Sequence, residues 1–164
     1  MPSPTDSITR VGVLLQAYAE KGVFRGFSSR SETPARADYR ILWHRDQVFE
    51  LRYEPRQSSL RFACVLPEVD PGSSMYREFR AWLKLRRSDE LPEHRRCDPR
   101  RVRIKPYNRG GAVALTLRSL DGDMDYAVRR LIALVHEIYL EFLSSGLYHD
   151  WLIETFDLDP DNPC

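Results

Sequence analysis

The chain predicts an α+β domain in which helices pack on an antiparallel sheet, and three observations lead there. Apolar residues recur at the helical period in three segments and at period two in three others, and a further pair of runs flanks a glycine turn. The segments fall in the order α-β-β-β-α-β-β-α, with strands grouped rather than alternating with helices. Several of the connections are short enough for hairpins.

The first helix is expected over about Asp6 to Gly22, with Thr5, Asp6 or Ser7 as its cap. Its apolar stripe is Ile8, Val11, Leu14, Leu15 and Tyr18, and Gly22 is a natural stop. Arg25 to Ala37 holds Gly26, Pro34 and four serines or threonines, and reads as a mobile loop. Three strands follow at Tyr39–His44, Val48–Tyr53 and Leu60–Leu66, and their short links predict a meander. Tyr39, Ile41 and Trp43 share one face, as do Phe49, Leu51 and Tyr53, and then Leu60, Phe62, Cys64 and Leu66.

Pro67 ends the third strand, and Ser73 or Ser74 caps a second helix running to about Arg87. Met75, Phe79, Trp82 and Leu83 lie on one side of it. After a polar crossing, Ser88 to Arg101, the runs Val102–Lys105 and Ala112–Arg118 form a hairpin about Asn108-Arg109-Gly110-Gly111. A last helix opens near Asp123 and is apolar around more than one stripe, from Val128 to Leu143. Such a helix is expected to be covered on two sides, by its own sheet and by something else. One domain spans 1–164, with its core at about 6–143 and an acidic extension at about 147–164.

Composition excludes several classes. At 164 residues, 42% hydrophobic and 30% charged, the chain is an ordinary globular protein. Its net charge of +1 does not make the whole molecule a polyelectrolyte for nucleic acid. Three cysteines, Cys64, Cys97 and Cys164, lie far apart with no C-x-x-C, so neither a disulfide framework nor a zinc site is expected. The N-terminus lacks a basic and apolar leader, and no run approaches the about 20 apolar residues of a membrane span. A cytoplasmic protein with no membrane partner, no cofactor and no metal is the expectation.

No residue cluster specifies a reaction. His44, His94, His136 and His149 show no metal-ligand spacing. Asp121, Asp123 and Asp125 alternate as at the start of a calcium loop, but the downstream Gly and Glu are misplaced, and helix capping accounts for them. No phosphate-loop or nucleophile-elbow motif occurs. The chain is therefore expected to have no catalytic residues.

The element order resembles that of the YbjN-like and type III secretion chaperone-like fold. Leu60–Leu66 with Pro67, Met75–Leu85, and Gly110–Arg118 running through Asp121 into the last helix resemble that family's third strand, middle helix and final strand–helix step. The resemblance covers about residues 6–143 and is one of architecture. It implies a small cytosolic dimer that binds polypeptide without catalysis, although secretion chaperones of this kind are usually strongly acidic and this chain is near neutral.

Two binding modes are expected on these grounds. In the first, a homodimer forms through Leu131, Leu134, Val135, Ile138 and Phe142, and Trp43, Phe49, Trp82 and Trp151 contact another polypeptide. In the second, nucleic acid is held by the segment 77–109, where twelve Lys and Arg face five Asp and Glu, an excess of +7. Its candidates are Arg86, Arg87, Arg95, Arg96, Arg100, Arg101 and Arg103. The competing reading is a solvated surface balanced by the acidic extension.

Overall fold

A computed structural model describes residues 3–143 of the chain. Gly146, Leu147, Tyr148, His149, Trp151, Cys164 and the rest of the acidic extension lie outside the described residues. The elements are α1 (Pro4–Glu20), β1 (Gly26–Thr33), β2 (Arg36–Leu42), β3 (Val48–Glu54), β4 (Ser59–Leu66), α2 (Ser74–Leu85), β5 (Val102–Arg109), β6 (Ala112–Ser119) and α3 (Met124–Glu137). A π-helical turn, Ile138–Phe142, prolongs α3.

One sheet holds all six strands in the order β1-β2-β3-β4-β6-β5, every neighbour antiparallel. β2 to β4 form the expected meander, and β1 adds a strand at its edge. The chain then leaves through α2, and the β5–β6 hairpin returns with its second strand beside β4.

The segment expected to be a mobile loop is instead β1 and the start of β2. β1 sits at the sheet's edge and is exposed at every position after Phe27. An edge strand with little to bury shows no apolar alternation, so its pairing with β2, from Gly26 opposite Leu42 to Thr33 opposite Arg36, left no trace in hydropathy. Cys64 also departs from expectation. β4 spends four residues from Phe62 to Leu66 where β6 spends two from Leu115 to Val113. The irregularity shifts the alternation, so Val65 is buried and Cys64 is left half-buried.

Caps and turns follow local chemistry. Ser3, one turn earlier than expected, accepts a hydrogen bond from the Asp6 amide at 3.1 Å and opens α1. Ser73 does the same for α2 through the Tyr76 amide, and Asp123 for α3 through the Tyr126 amide. Gly110 and Gly111 turn the β5–β6 hairpin at φ 59° and 102°, where a side chain would strain the backbone.

The helices lie on one face of the sheet. Val11 and Leu15 of α1, Phe79 of α2, and Leu131 and Val135 of α3 join Tyr39, Ile41, Leu51, Tyr53, Phe62, Leu115 and Leu117 in one core. The other face carries charged side chains and no helix among the described residues.

Candidate functional site

The aromatic and aliphatic residues expected at interfaces are placed mostly inside. Leu131, Leu134, Val135, Ile138 and Phe142 are all at most 5% exposed within the single chain. The second cover of α3 is intramolecular: α1 lies beside it, joined by Arg10 to Asp125, and Phe79 and Trp82 of α2 pack on Phe142. Trp43 and Phe49 are buried in a ring cluster with Phe24, Phe62 and Tyr139. Trp82 is half-buried, with the Arg86 guanidinium 4.4 Å above its ring. Trp151 lies outside the described residues.

The basic segment does not form one face. Arg86 is buried and pairs with Glu137 at 3.3 Å and Glu141 at 3.4 Å. Arg95 bridges the same two carboxylates, at 3.3 and 2.6 Å. Arg101 holds Asp121 and Asp123 at 2.8 and 2.7 Å, and its guanidinium lies 3.8 Å over Tyr126. Arg100 pairs with Asp98, and Arg96 with Asp89. Arg86, Arg95 and Arg101 thus staple the end of α2 and the crossing to α3 and its cap, whereas Arg96 and Arg100 pair within the crossing itself. Arg87 and Arg103 are exposed and have no ion-pair partner among the described residues. The acids Asp121 and Asp123 are caps and arginine partners, and among the described residues no group of three or more His, Cys, Asp and Glu could hold a metal.

A groove that the sequence did not reveal runs between α1 and the edge strand β1. Its cavity is about 440 Å³, lined by Gly12, Val13 and Ala17 on the helix and by Phe27, Ser29 and Glu32 on the strand. Tyr39 forms part of its wall, stacked on Phe27 with ring centroids 5.7 Å apart. The Tyr39 hydroxyl is buried and has no hydrogen-bond partner among the described residues. Burial, with Glu32 and Tyr53 adding to it, pushes that phenol well above its usual range. Two sequence signals bear on this groove in retrospect. Gly12 interrupts the middle of a helix, and Val13 is an apolar residue off the stripe of Ile8, Val11, Leu14, Leu15 and Tyr18, where the structure leaves it 55% exposed.

The two edges of the sheet are unequal. β5 carries Pro106 and the charged residues Arg103, Lys105 and Arg109, which discourage another strand from pairing. The first half of β1, Gly26-Phe27-Ser28-Ser29, carries neither charge nor proline. The register slips only beyond it, between Ser29 and Ser31.

The face away from the helices is divided by charge. On β1 to β3 the charges are mixed and paired: Arg30 and Arg40 with Glu50, Arg36 and Arg52 with Asp38, at 2.9 to 3.7 Å. An open trough of about 550 Å³ lies over this half and extends to Arg61, Ala63 and Arg109. On β4, β6 and β5 the outward side chains are Arg61, Arg118, Arg103, Lys105 and Arg109, with Tyr107 among them.

Of the histidines, His44 stacks on Tyr139 with centroids 4.5 Å apart and lies 5.3 Å from His136. Burial, then His136 and Arg45, pull its pKa down to about 4, so it is neutral near pH 7. No family model matches the chain, and no curated protein or solved structure matches it either.

Proposed function

We propose that this chain is a non-enzymatic polypeptide-binding module that takes an extended segment as an added strand on the free edge of β1. The observation that carries the reading is the pairing of an unguarded edge, Gly26–Ser29, with an apolar groove beside it. Strand addition draws affinity from backbone hydrogen bonds and specificity from pockets for alternate side chains. Here the alternate positions of the guest would face Val13, Ala17 and Phe27. Glu20 and Glu32 at the groove favour a basic residue in the guest. A place among YbjN-like or type III secretion chaperone-like proteins belongs to the same proposal, since holding an extended segment is what that resemblance implies. β1 is an addition to the element order that suggested it.

A homodimer needs a surface other than Leu131, Leu134, Val135, Ile138 and Phe142, because these are buried within the single chain. No helix among the described residues is long and apolar enough to cross a membrane.

The test is selection from a random peptide library followed by hydrogen exchange on the complex. Bound peptides with alternating apolar residues should slow exchange at Gly26–Ser29, and Val13→Glu should abolish capture while leaving the fold intact. Peptides that bind while β1 exchanges as in the free chain would overturn the reading. So would a free protein that is already dimeric with β1 protected, since the edge would then belong to a second copy.

A further inference from the structure

We infer that the open half-face of β4, β6 and β5 is a binding surface for single-stranded nucleic acid, separate from the edge groove. Direct cross-strand neighbours place the residues. Arg118 of β6 stands opposite Arg103 of β5, and Arg61 of β4 stands opposite Thr116, which in turn stands opposite Lys105. Tyr107 is opposite Ala114 and Arg109 opposite Ala112, so small residues flank the long ones.

Arg61, Arg103, Lys105, Arg109 and Arg118 are all exposed, and none has an ion-pair partner among the described residues. On the same face every arginine of β2 and β3 has an ion-pair partner, whereas Arg61 and Arg109, which share the open trough with Glu50 and Glu54, form none among the described residues. Like charges directly opposite each other destabilise a sheet, and Arg103 with Arg118 is such a pair, with no carboxylate paired to either among the described residues. A cost to folding without a compensating contact among the described residues points to an anionic partner.

Three features favour a nucleic acid strand over an acidic polypeptide. Four of the five cations are arginines, whose planar guanidinium forks grip phosphate and stack on bases. Tyr107 is 58% exposed between Lys105 and Arg109 and offers a ring to a base. On β5, cations and ring recur at every second residue, about 6.8 Å apart along an extended strand, on an open surface that a flexible single strand can follow.

The experiment is fluorescence anisotropy of the full chain with labelled oligo(dT) and oligo(rU), repeated across a salt series. Binding is expected at low salt, with log Kd rising against log salt by up to about 3.5 if all five cations meet phosphates at about 0.7 each. Arg103→Gln with Arg118→Gln should cut that slope by about 1.4. The double variant should unfold no earlier than the wild type, since it removes a repulsion. Tyr107→Ala should weaken binding at least about fivefold while Tyr107→Phe retains it. No anisotropy change at 20 mM salt would overturn the inference. So would displacement of the oligonucleotide by polyglutamate at equal charge together with indifference to Tyr107→Ala, which would assign the face to an acidic polypeptide. Failure of peptide capture at β1 would leave all of these outcomes unchanged.

Discussion

Removing one oxygen from Tyr39 should stabilise this protein. A buried tyrosine hydroxyl ordinarily has a partner, and Tyr→Phe then costs the hydrogen bond, about 1 kcal/mol. The Tyr39 hydroxyl is buried without a partner among the described residues, and a Cβ on Gly12 of α1 would stand 3.6 Å from it. Desolvating a hydroxyl without return costs about 1–3 kcal/mol. Phenylalanine keeps the ring, its stack on Phe27 and its place in the core, so only the penalty is removed. Tyr39→Phe is therefore expected to raise stability by about 1 kcal/mol, equivalent to about 2–4 °C in Tm at this chain length. Urea unfolding followed by tryptophan fluorescence measures it, with the m-value unchanged. A lower midpoint would refute the reasoning, because it would mean that the hydroxyl is satisfied in solution. If the hydroxyl also meets the guest peptide, the same variant should bind more weakly while being more stable.

Gly12→Ala should likewise stabilise α1 by about 1 kcal/mol, since its Cβ meets only ordinary contact with Tyr39, and thermal melting checks the sign. Arg86→Ala should destabilise by about 3 kcal/mol in urea titration, because it strips a buried guanidinium from Glu137 and Glu141 and uncovers Trp82. His44 has a folded pKa near 4, below the ordinary 6.5, so the unfolded chain binds the extra proton between those values. Stability should thus fall as pH is lowered from about 6.5 to 4, by about 1–2 kcal/mol given the partial exposure of the ring, and His44→Phe should flatten that part of a pH series of melts. Cys97 is buried and its thiol is pushed up to about 11, mainly by burial, so a thiol reagent at pH 8 should leave it unlabelled until denaturant is added, as peptide mass mapping would reveal.

Much of the scaffold was legible because the relevant signals are local. Ser73 and Asp123 cap helices through amides three residues away, the paired glycines supply their own turn, and β2 and β3 alternate because one face of each is buried. The candidate surfaces were harder to see. β1 has almost nothing to bury and therefore no period, and the irregularity in β4 breaks one that looked regular. The arginine-rich segment was conspicuous in sequence, yet charge excess along a chain says nothing of where each side chain finds a carboxylate. Glu137 and Glu141, more than forty residues from Arg86 and Arg95 in the chain, decide that.

The sequence by itself determined the class, the helices, five of the six strands and the caps of α2 and α3, because hydropathy period and capping act over a few residues. Only the tertiary structure decided which surfaces are open. The apolar residues of α3 are used up against α1, α2 and the sheet, while Arg61 joins Arg103, Lys105, Arg109 and Arg118 on one face because β6 inserts between β4 and β5. Exposure is a property of what else packs nearby, and strand order brings together residues whose separation along the chain carries no mark of it.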